Sequence, residues 1–303
     1  MAQVEYNPVK LPFTKMHGCG NDFAVFADPE NRFGWDGLSE LARRLCPRRY
    51  SIGADGIIAV GQSPLPGDEW PVEANYEMRY VNADGSRAEM CGNGIRCVAR
   101  FVAEQFHDPR PRLNVLTGFG VLAVDLLKDG EGVAGRVAVR MGTPNLLAAR
   151  IPTTLAYESD QVIAADLVVG EEKLAVTAVN MGNPHAVAFV DEITDHHVHR
   201  LGPQAELHPA FPEKTNVEFV QVLSPTHLRM RVWERGVGET MACGTGACAS
   251  VVAAVLNGHS LHDSAVTVTL NGGDLEISWP GEGSAVQMIG PAEVAYRGEV
   301  EIP

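Results

Sequence analysis

The chain has 303 residues, of which 45% are apolar, and its formal net charge is −14. This length is enough for one large domain or for two of about 150 residues, and the apolar content is that of a globular protein with a buried core. The acidic balance argues against a nucleic-acid partner, whose phosphates attract a lysine- and arginine-rich face. No apolar run reaches the length of a membrane span, and the first residues do not have the pattern of a secretory signal. We therefore expect a cytoplasmic protein with no membrane partner.

The predicted elements are many short strands and few helices. Strands are β-branched or alternating runs bounded by turn signals, and in chain order they are predicted at 23–27, 57–60, 77–81, 121–127, 137–140, 174–179, 186–190, 217–222, 228–233, 265–270, 275–279 and 285–290. Helices are predicted at 37–45, 95–105 and 246–257, and a surface loop at 62–71. This order is not the strand–helix alternation of a doubly wound sheet and predicts an α+β fold.

Two halves of the chain resemble each other. NADGSRAEMCGNGIRCVARF (82–101) and ERGVGETMACGTGACASVVA (234–253) share Cys-Gly-x-Gly followed by a helix-like run, and Asn82 and Glu234 each precede the first cysteine by nine residues. Upstream, KMHGCGNDFAVFAD (15–28) and NMGNPHAVAFVD (180–191) each place a glycine-rich turn with Asn before a strand-like run. The repeated order predicts a duplicated domain, with two pseudo-symmetric halves facing a shared cleft.

The two Cys-Gly-x-Gly segments have the pattern of a helix start that carries chemistry. Their glycines allow a tight turn and leave backbone N–H groups open to an anionic ligand. We predict that Asn93 and Thr245 are the helix N-caps, which places Cys91 and Cys243 just outside the helices. A helix N-terminus favours negative charge and so the thiolate. A thiolate and a thiol could remove and return a proton α to a carboxylate, and the helix ends would stabilise the resulting enediolate.

The other cysteines are expected to be small buried side chains, namely Cys19, Cys46, Cys97 and Cys248. The paired cysteines are separated by five and by four residues, whereas zinc sites of the ribbon or finger type most often have two between them. We predict no metal site. A redox- or zinc-responsive binding protein remains an alternative, which would bind stoichiometric zinc and exchange no α-proton.

The ordered motifs resemble the diaminopimelate epimerase family. They are MHGCGNDF, NADGS, MCGNGIRC, MGNPH, the Thr-Asn-Val of KTNVEF, and ERGVGETMACGTGACA, and they run from Met16 to Ala249. The resemblance implies two domains, each a β-barrel-like sheet wrapped around a central helix. It divides the chain into residues 1–141 with Cys91, to which 289–303 return, and residues 142–288 with Cys243. It implies an isomerase that interconverts LL- and meso-2,6-diaminopimelate in lysine and peptidoglycan-precursor synthesis.

The resemblance also implies that the enzyme uses neither PLP nor any other cofactor and is a homodimer. Cys91 and Cys243 would be the acid/base pair, and His185 and Glu234 would assist the catalytic chemistry. The residues expected to bind the substrate are Asn21, Asn82, Gly92, Asn93, Asn183, Asn216, Glu234, Arg235, Gly244 and Thr245. Among them, backbone N–H groups after each cysteine would hold the reacting carboxylate, and the guanidinium of Arg235 would bind the distal carboxylate.

Each of these residues also has an ordinary structural interpretation. An Asn in a glycine-rich turn, such as Asn82, often bonds only its own backbone. A Glu–Arg pair is usually a solvated surface pair, His185 could be a hydrogen-bonded strand residue, and Asp55 could only shape a turn. Gly56 departs from the family pattern, because some members have Gln at this position and use it near the substrate.

Two related groups are alternatives. Proline and hydroxyproline racemases are similar around Cys-Gly-Thr-Gly, but they usually have His where this chain has Asn93, and they lack the Glu234-Arg235 pair. Phenazine-biosynthesis isomerases share the fold but lack the two catalytic cysteines. The amide at position 93 and the presence of both cysteines therefore favour the diaminopimelate family.

Overall fold

The structure is a computed structural model that describes residues 9–62, 73–88, 90–127, 135–155 and 160–302. The chain forms two compact units. Unit 1 contains the residues up to Val137 together with those from Pro291 onward, and unit 2 is Ala138–Gly290. Of the predicted loop 62–71, only Gln62 lies within the described residues, where it ends a strand.

Unit 1 is a sheet with two helices. Its elements are β1 Val9–Gly18, β2 Asn21–Ala27, α1 Gly34–Leu45, β3 Gly56–Gln62, β4 Tyr76–Asn82, β5 Arg87–Ala88, α2 Gly92–Gln105, β6 Arg112–Thr117, β7 Gly120–Leu127, the start of β8 Arg136–Arg140, and β18 Glu293–Ile302. The hairpin β1–β2 turns at Cys19 and Gly20, which both have positive φ. Within the extension before Met16, residues 9–15 form the first part of β1, which pairs with the C-terminal strand β18.

Unit 2 repeats this pattern. Its elements are β9 Ala165–Val169, β10 Glu172–Asn180, β11 Pro184–Phe189, a π-helical segment His196–Leu201, α3 Gly202–Glu206, β12 Asn216–Ser224, β13 His227–Glu234, β14 Gly238–Glu239, α4 Gly244–Leu256, β15 Val266–Leu270, β16 Gly273–Ser278 and most of β17 Gln287–Pro291. A 3-10 turn, Ala148–Arg150, precedes β9. The division between the units falls within β8 and within β17.

Strand pairing is the same in the two units. In unit 1, β1–β2 is antiparallel, β2–β3 parallel, β3–β4 antiparallel, β4–β6 parallel and β6–β7 antiparallel. In unit 2, the equivalent pairs are β10–β11, β11–β12, β12–β13, β13–β15 and β15–β16, with the same directions in the same order. The duplication predicted from the sequence motifs is therefore present in the fold as a repeated order and direction of strand pairing.

Each unit packs its sheet around its own helix. Helix α2 contacts β1, β2, β3, β4 and β7, and α4 contacts β10, β11, β12, β13, β15 and β16. Helix α4 can be central because it is almost entirely apolar and small, and a helix that is apolar on all sides is buried on all sides. The predicted α+β fold, with a sheet around a central helix in each unit, is confirmed. Among the helices of the described ranges, none has the length and apolarity that a bilayer crossing requires.

Candidate active site

Both central helices begin at a cysteine, which corrects the predicted N-caps. Cys91 is extended (φ −143°, ψ 114°), and its sulfur accepts a hydrogen bond from the N–H of Gly94 at 3.4 Å. Cys243 is also extended (φ −119°, ψ 108°) and caps α4 by position. Asn93 and Thr245 therefore lie inside the first turn. The shift occurs because the cysteine carbonyl already accepts the first helical bond, from Ile95 in α2, so each sulfur lies directly at the positive helix end.

In unit 1, the Asn21 side chain joins Cys91 and Asn93. Its Oδ1 accepts from the Cys91 thiol at 3.6 Å and from Asn93 Nδ2 at 3.1 Å. Arg96, which is fully buried, donates to Asn93 Oδ1 at 2.9 Å and to the carbonyl of Gly92 at 2.9 Å. These contacts fix which end of each amide faces its neighbour. Four of the five residues that we predicted for the site in unit 1 are brought together in this way.

The Nδ2 end of the Asn21 side chain contacts a network of charged residues. Asn21 Nδ2 donates to Asp55 Oδ2 at 2.9 Å, so Asp55 does more than shape a turn. The neighbouring Asp22 forms salt bridges with Lys15 (2.6 Å) and Arg48 (2.8 Å). Burial raises the pKa of Asp22, but the hydrogen bonds from Arg48 and Lys15 outweigh burial and lower the pKa to about 2. This network fixes the Asn21 amide from the side away from Cys91.

Asn82 is the residue of unit 1 that stands apart. It ends β4, and its Nδ2 donates to the hydroxyl of Ser86 at 2.9 Å across the turn. A contact within one turn is what the purely structural interpretation of Asn82 predicts. Its role in substrate binding remains a prediction.

In unit 2, the thiol of Cys243 lies among acidic groups. Cys243 is buried, and its sulfur is 3.5 Å from the hydroxyl of Thr245. Burial, and then the carboxylates of Glu234 and Glu218, raise the pKa of the Cys243 thiol well above its ordinary value, because desolvation and nearby negative charge both disfavour a thiolate. The resting form that this environment favours is the thiol.

Glu234 is the acidic group that bonds to this thiol. It ends β13, accepts a hydrogen bond from the hydroxyl of Thr240, and is also hydrogen-bonded to Cys243. Burial raises the pKa of Glu234, and Glu218 adds to the rise. Carboxyl groups with raised pKa values close to a thiol are typical of sites that move protons.

His185 forms a fully buried polar pair with Glu218. The His185 Nδ1 is 2.7 Å from Glu218 Oε1, and its Nε2 is 3.0 Å from Asn183 Oδ1. Gly246 is small where these groups meet: a Cβ at that position would lie 2.7 Å from Glu218 Oε1 and 3.3 Å from the sulfur of Cys243. The glycine therefore lets the carboxylate and the thiol approach the same turn of α4.

Asn216 and Arg235 are joined through the backbone. Asn216 is buried and bridges two elements, since its Nδ2 donates to the carbonyl of Pro184 at 2.8 Å and its Oδ1 accepts from the N–H of Arg235 at 2.9 Å. The Arg235 side chain is exposed and donates to the carbonyl of Glu213 at 3.1 Å. Its binding of a distal carboxylate remains a prediction.

Sequence reasoning missed Glu218 and Arg96. Each is a charged residue inside an apolar pattern, Glu218 in the strand NVEFVQV and Arg96 in the helix after Cys-Gly-Asn-Gly. Charged residues are almost never fully buried unless they are paired. A charged residue at a position where the pattern predicts burial was therefore the signal that Glu218 and Arg96 have buried partners. By contrast, the four cysteines expected in the core are all buried.

Gly56 lies where the structure has no room for a larger side chain. A Cβ at this position would lie 2.5 Å from the ring of Tyr80 and 2.6 Å from the carbonyl of Val81. We expect Gly56→Gln to lower the free energy of unfolding by about 1–3 kcal/mol, the usual range for overpacking a core. Urea titration checks this, with Gly135→Gln as the control, because no atom of the described ranges lies within 4 Å of a Cβ there. Equal stability of the two variants would contradict the expectation.

Cys91 is expected to be the first thiol modified by iodoacetamide. All six cysteines lie in the described ranges, and Cys91 alone among them is not buried. The thiolate is the reactive form, and burial raises the pKa of Cys46 and of Cys97 to about 12. Peptide mapping after brief labelling of the native chain should find the first adduct on Cys91. A first adduct on Cys243 would contradict this order of reactivity.

Comparison with known proteins identifies the family. A family model described as "Diaminopimelate epimerase" matches residues 13–147 and 177–295. A curated diaminopimelate epimerase of Trichodesmium erythraeum is 47% identical over 286 residues, covering 94% of this chain and 98% of the relative. The chain is therefore an isomerase of the epimerase class. It belongs to the diaminopimelate epimerase family.

Solved structures share the fold at low sequence identity. A phenazine biosynthesis protein of the PhzF family from Bacillus anthracis has a TM-score of 0.68 at 15% identity and covers 97% of this chain and 100% of its own. A hydroxyproline epimerase from Agrobacterium vitis, solved with bound trans-4-hydroxy-L-proline, has a TM-score of 0.66 at 14% identity, with 97% and 93% covered. At this identity, the likeness concerns the fold alone.

Proposed function

We propose that the chain epimerises LL-2,6-diaminopimelate to meso-2,6-diaminopimelate, with Cys91 and Cys243 as the two acid/base groups and without PLP or another cofactor. The observation that carries the proposal is that each unit begins its central helix at a cysteine followed by a glycine. This arrangement provides two thiols, each beside a row of helix N–H groups. Family membership supplies the substrate.

In the proposed reaction, one cysteine as a thiolate removes the α-proton, and the other cysteine as a thiol donates a proton to the opposite face of the same carbon. The electron pair left by the C–H bond passes into the carboxylate as an enediolate, which collapses as the new C–H bond forms. The two cysteines end with their protonation states exchanged. Backbone N–H groups of Gly92, Asn93, Gly244 and Thr245 would stabilise the enediolate, since fixed donors act most strongly where charge develops.

The environment of Cys243 supports an assignment of the protonation states of the two cysteines before LL-diaminopimelate or its epimer reacts. Because burial, Glu234 and Glu218 raise the pKa of the Cys243 thiol, Cys243 begins as the proton donor. Cys91 would then be the thiolate that accepts the α-proton, at a helix end that favours negative charge. Glu234 and His185 would adjust the proton affinity of Cys243. Asn82, Asn183, Asn216 and Arg235 would bind the distal end of the substrate.

We also propose a compartment, a pathway and an oligomeric state for the enzyme. We place it in the cytoplasm, in the synthesis of lysine and peptidoglycan precursors, as a homodimer that binds a small-molecule substrate. Light scattering of the purified chain tests the dimer, and a monomer at micromolar concentration would contradict it.

The function is tested by incubating the reduced chain with LL-diaminopimelate in D₂O without added PLP. We expect meso product with deuterium at the inverted α-carbon, detected by mass spectrometry and NMR, because the proton returned comes from an exchanged thiol. Absence of both deuteration and meso product would overturn the proposal. A parallel incubation with trans-4-hydroxy-L-proline tests the racemase alternative, in which turnover of the cyclic amino acid would exceed that of diaminopimelate.

A further inference from the structure

The His185–Glu218 pair is costly to bury. Both side chains are completely inaccessible to solvent, and Glu218 Oε2 has no hydrogen-bond partner among the residues that the structure describes. A buried carboxylate with an unsatisfied oxygen is expensive, and replacing such a pair by apolar side chains often stabilises a protein. The pair therefore requires an explanation other than stability.

Unit 1 contains the apolar equivalent of this pair. In the parallel strands β11 and β12, His185 is opposite Asn216, and Glu218 follows two residues later. In the equivalent strands β2 and β3, Phe23 is opposite Gly56, and Ile58 follows two residues later.

The helix contacts support this equivalence. A Cβ on Gly94 of α2 would lie 3.0 Å from Ile58, just as a Cβ on Gly246 of α4 would lie 2.7 Å from Glu218. Phe23 and Ile58 are both fully buried. The same topology thus folds with Phe and Ile at these positions, and the fold itself does not require His and Glu.

We propose that Glu218 is a positioning residue that acts through His185 on the amide of Asn183. In this proposal the pair has two protons: one lies between Glu218 Oε1 and His185 Nδ1, and the other, on His185 Nε2, is donated to Asn183 Oδ1. Because Oδ1 is occupied by the ring, the two N–H donors on Asn183 Nδ2 are left for a ligand, and no described residue accepts from them. Asn183 would therefore present its two N–H donors to a carboxylate of the substrate. This inference rests on the proposed function, which supplies a substrate that has such a group.

The first experiment transplants the side chains of unit 1 into unit 2. Glu218→Ile should lower kcat/KM for LL-diaminopimelate by about 10–100-fold, mainly through a higher KM, since a hydrogen bond to a charged group is worth about 1.5–3 kcal/mol. The double variant His185→Phe/Glu218→Ile should fold, with an unfolding midpoint equal to or above that of the wild type.

Thr177→Val is the control, because Thr177 is a buried polar residue of the same unit that bonds to Asn257 just beyond the C-terminal end of α4. Its kcat/KM should stay within about threefold of wild type.

The second experiment tests whether the effect passes through Asn183. In a double-mutant cycle, Glu218→Ile combined with Asn183→Ala should lose much less kcat/KM than the two single losses combined. The part of the Glu218→Ile loss that remains in the Asn183→Ala background reflects the negative charge that Glu218 places near Cys243. Glu218→Gln should retain most of the activity, because its amide can donate to His185 Nδ1 and leave the Nε2–H facing Asn183. Losses that add, or a Gln variant as impaired as the Ile variant, would overturn the proposal.

A measurement without turnover separates this inference from the proposed function. NMR of the full chain labelled with ¹⁵N-histidine, assigned by comparison with His185→Phe, should show a hydrogen-bonded proton at both ring nitrogens of His185. The Nδ1 signal should move in Glu218→Ile and the Nε2 signal should broaden. If these signals behave as expected while the wild type shows no epimerase activity, the function is wrong and the positioning stands. Ring signals that are identical in Glu218→Ile and wild type would overturn the positioning.

Discussion

Replacing either Cys91 or Cys243 with alanine is expected to lower kcat/KM for diaminopimelate at least about 10³-fold, near the upper range for loss of a general acid or base. Each thiol is the only proposed proton carrier on its face of the α-carbon, so the remaining cysteine cannot complete the inversion. The substitutions should leave the fold intact, since both residues occupy cap positions and not the helix core.

The controls for the two cysteine variants lie in the same helices. Cys97 in α2 and Cys248 in α4 are completely buried, and their replacement by alanine should cost some stability while kcat/KM stays within about threefold of wild type. The measurement is the rate of α-deuteration together with formation of meso product, at equal folded protein concentration. Full activity in Cys91→Ala or Cys243→Ala would show that the altered cysteine is not an obligatory acid or base.

The two cysteine variants should also differ from each other. If Cys91 is the resting thiolate, Cys243→Ala can still remove the α-proton of the first substrate isomer and allow it to return from the same face. Slow α-deuteration without inversion is then expected from Cys243→Ala, and less from Cys91→Ala. The reverse order would contradict the assignment of Cys243 as the resting thiol.

Replacing Arg96 with methionine is expected to lower the free energy of unfolding by about 3–5 kcal/mol. The guanidinium is completely buried and donates to the carbonyls of Gly92 and Pro291 and to Asn93 Oδ1. Its removal takes one hydrogen-bond donor from each of these three oxygens, at the first turn of α2 and at the start of the returning C-terminal segment. Urea titration with circular dichroism measures the loss.

Arg100→Met is the matched control for this variant. Arg100 lies one turn further along α2, is more exposed, and pairs with Glu104 at 2.7 Å while donating to the carbonyl of Ala292. Its loss should cost about 1 kcal/mol, because partly exposed pairs contribute little. Arg96→Lys should be nearly as unstable as Arg96→Met, since an ammonium cannot reproduce the planar fork of donors. If Arg96→Met loses no more stability than Arg100→Met, the buried guanidinium does not stabilise unit 1 more than the partly exposed one does.

The sequence by itself determined the α+β class, the duplication, and the two helix starts that carry Cys91 and Cys243. These features are local, since glycine turns, cysteine position and apolar periodicity each act within a few residues of the chain. The same local reasoning misplaced the caps at Asn93 and Thr245. It ranked side-chain caps by residue type and did not count the sulfur of Cys91, which accepts from Gly94.

Only the tertiary structure decided which polar groups meet. The Glu218–His185 contact depends on the register of two parallel strands that are joined by a long crossover, and the acceptors of Arg96 come from chain segments nearly 200 residues apart. Such pairings are set by how sheets and helices pack, and no spacing along the chain encodes them. For the same reason, the sequence could show that His185 and Phe23 occupy similar motifs, but only the strand register revealed that Glu218 replaces Ile58.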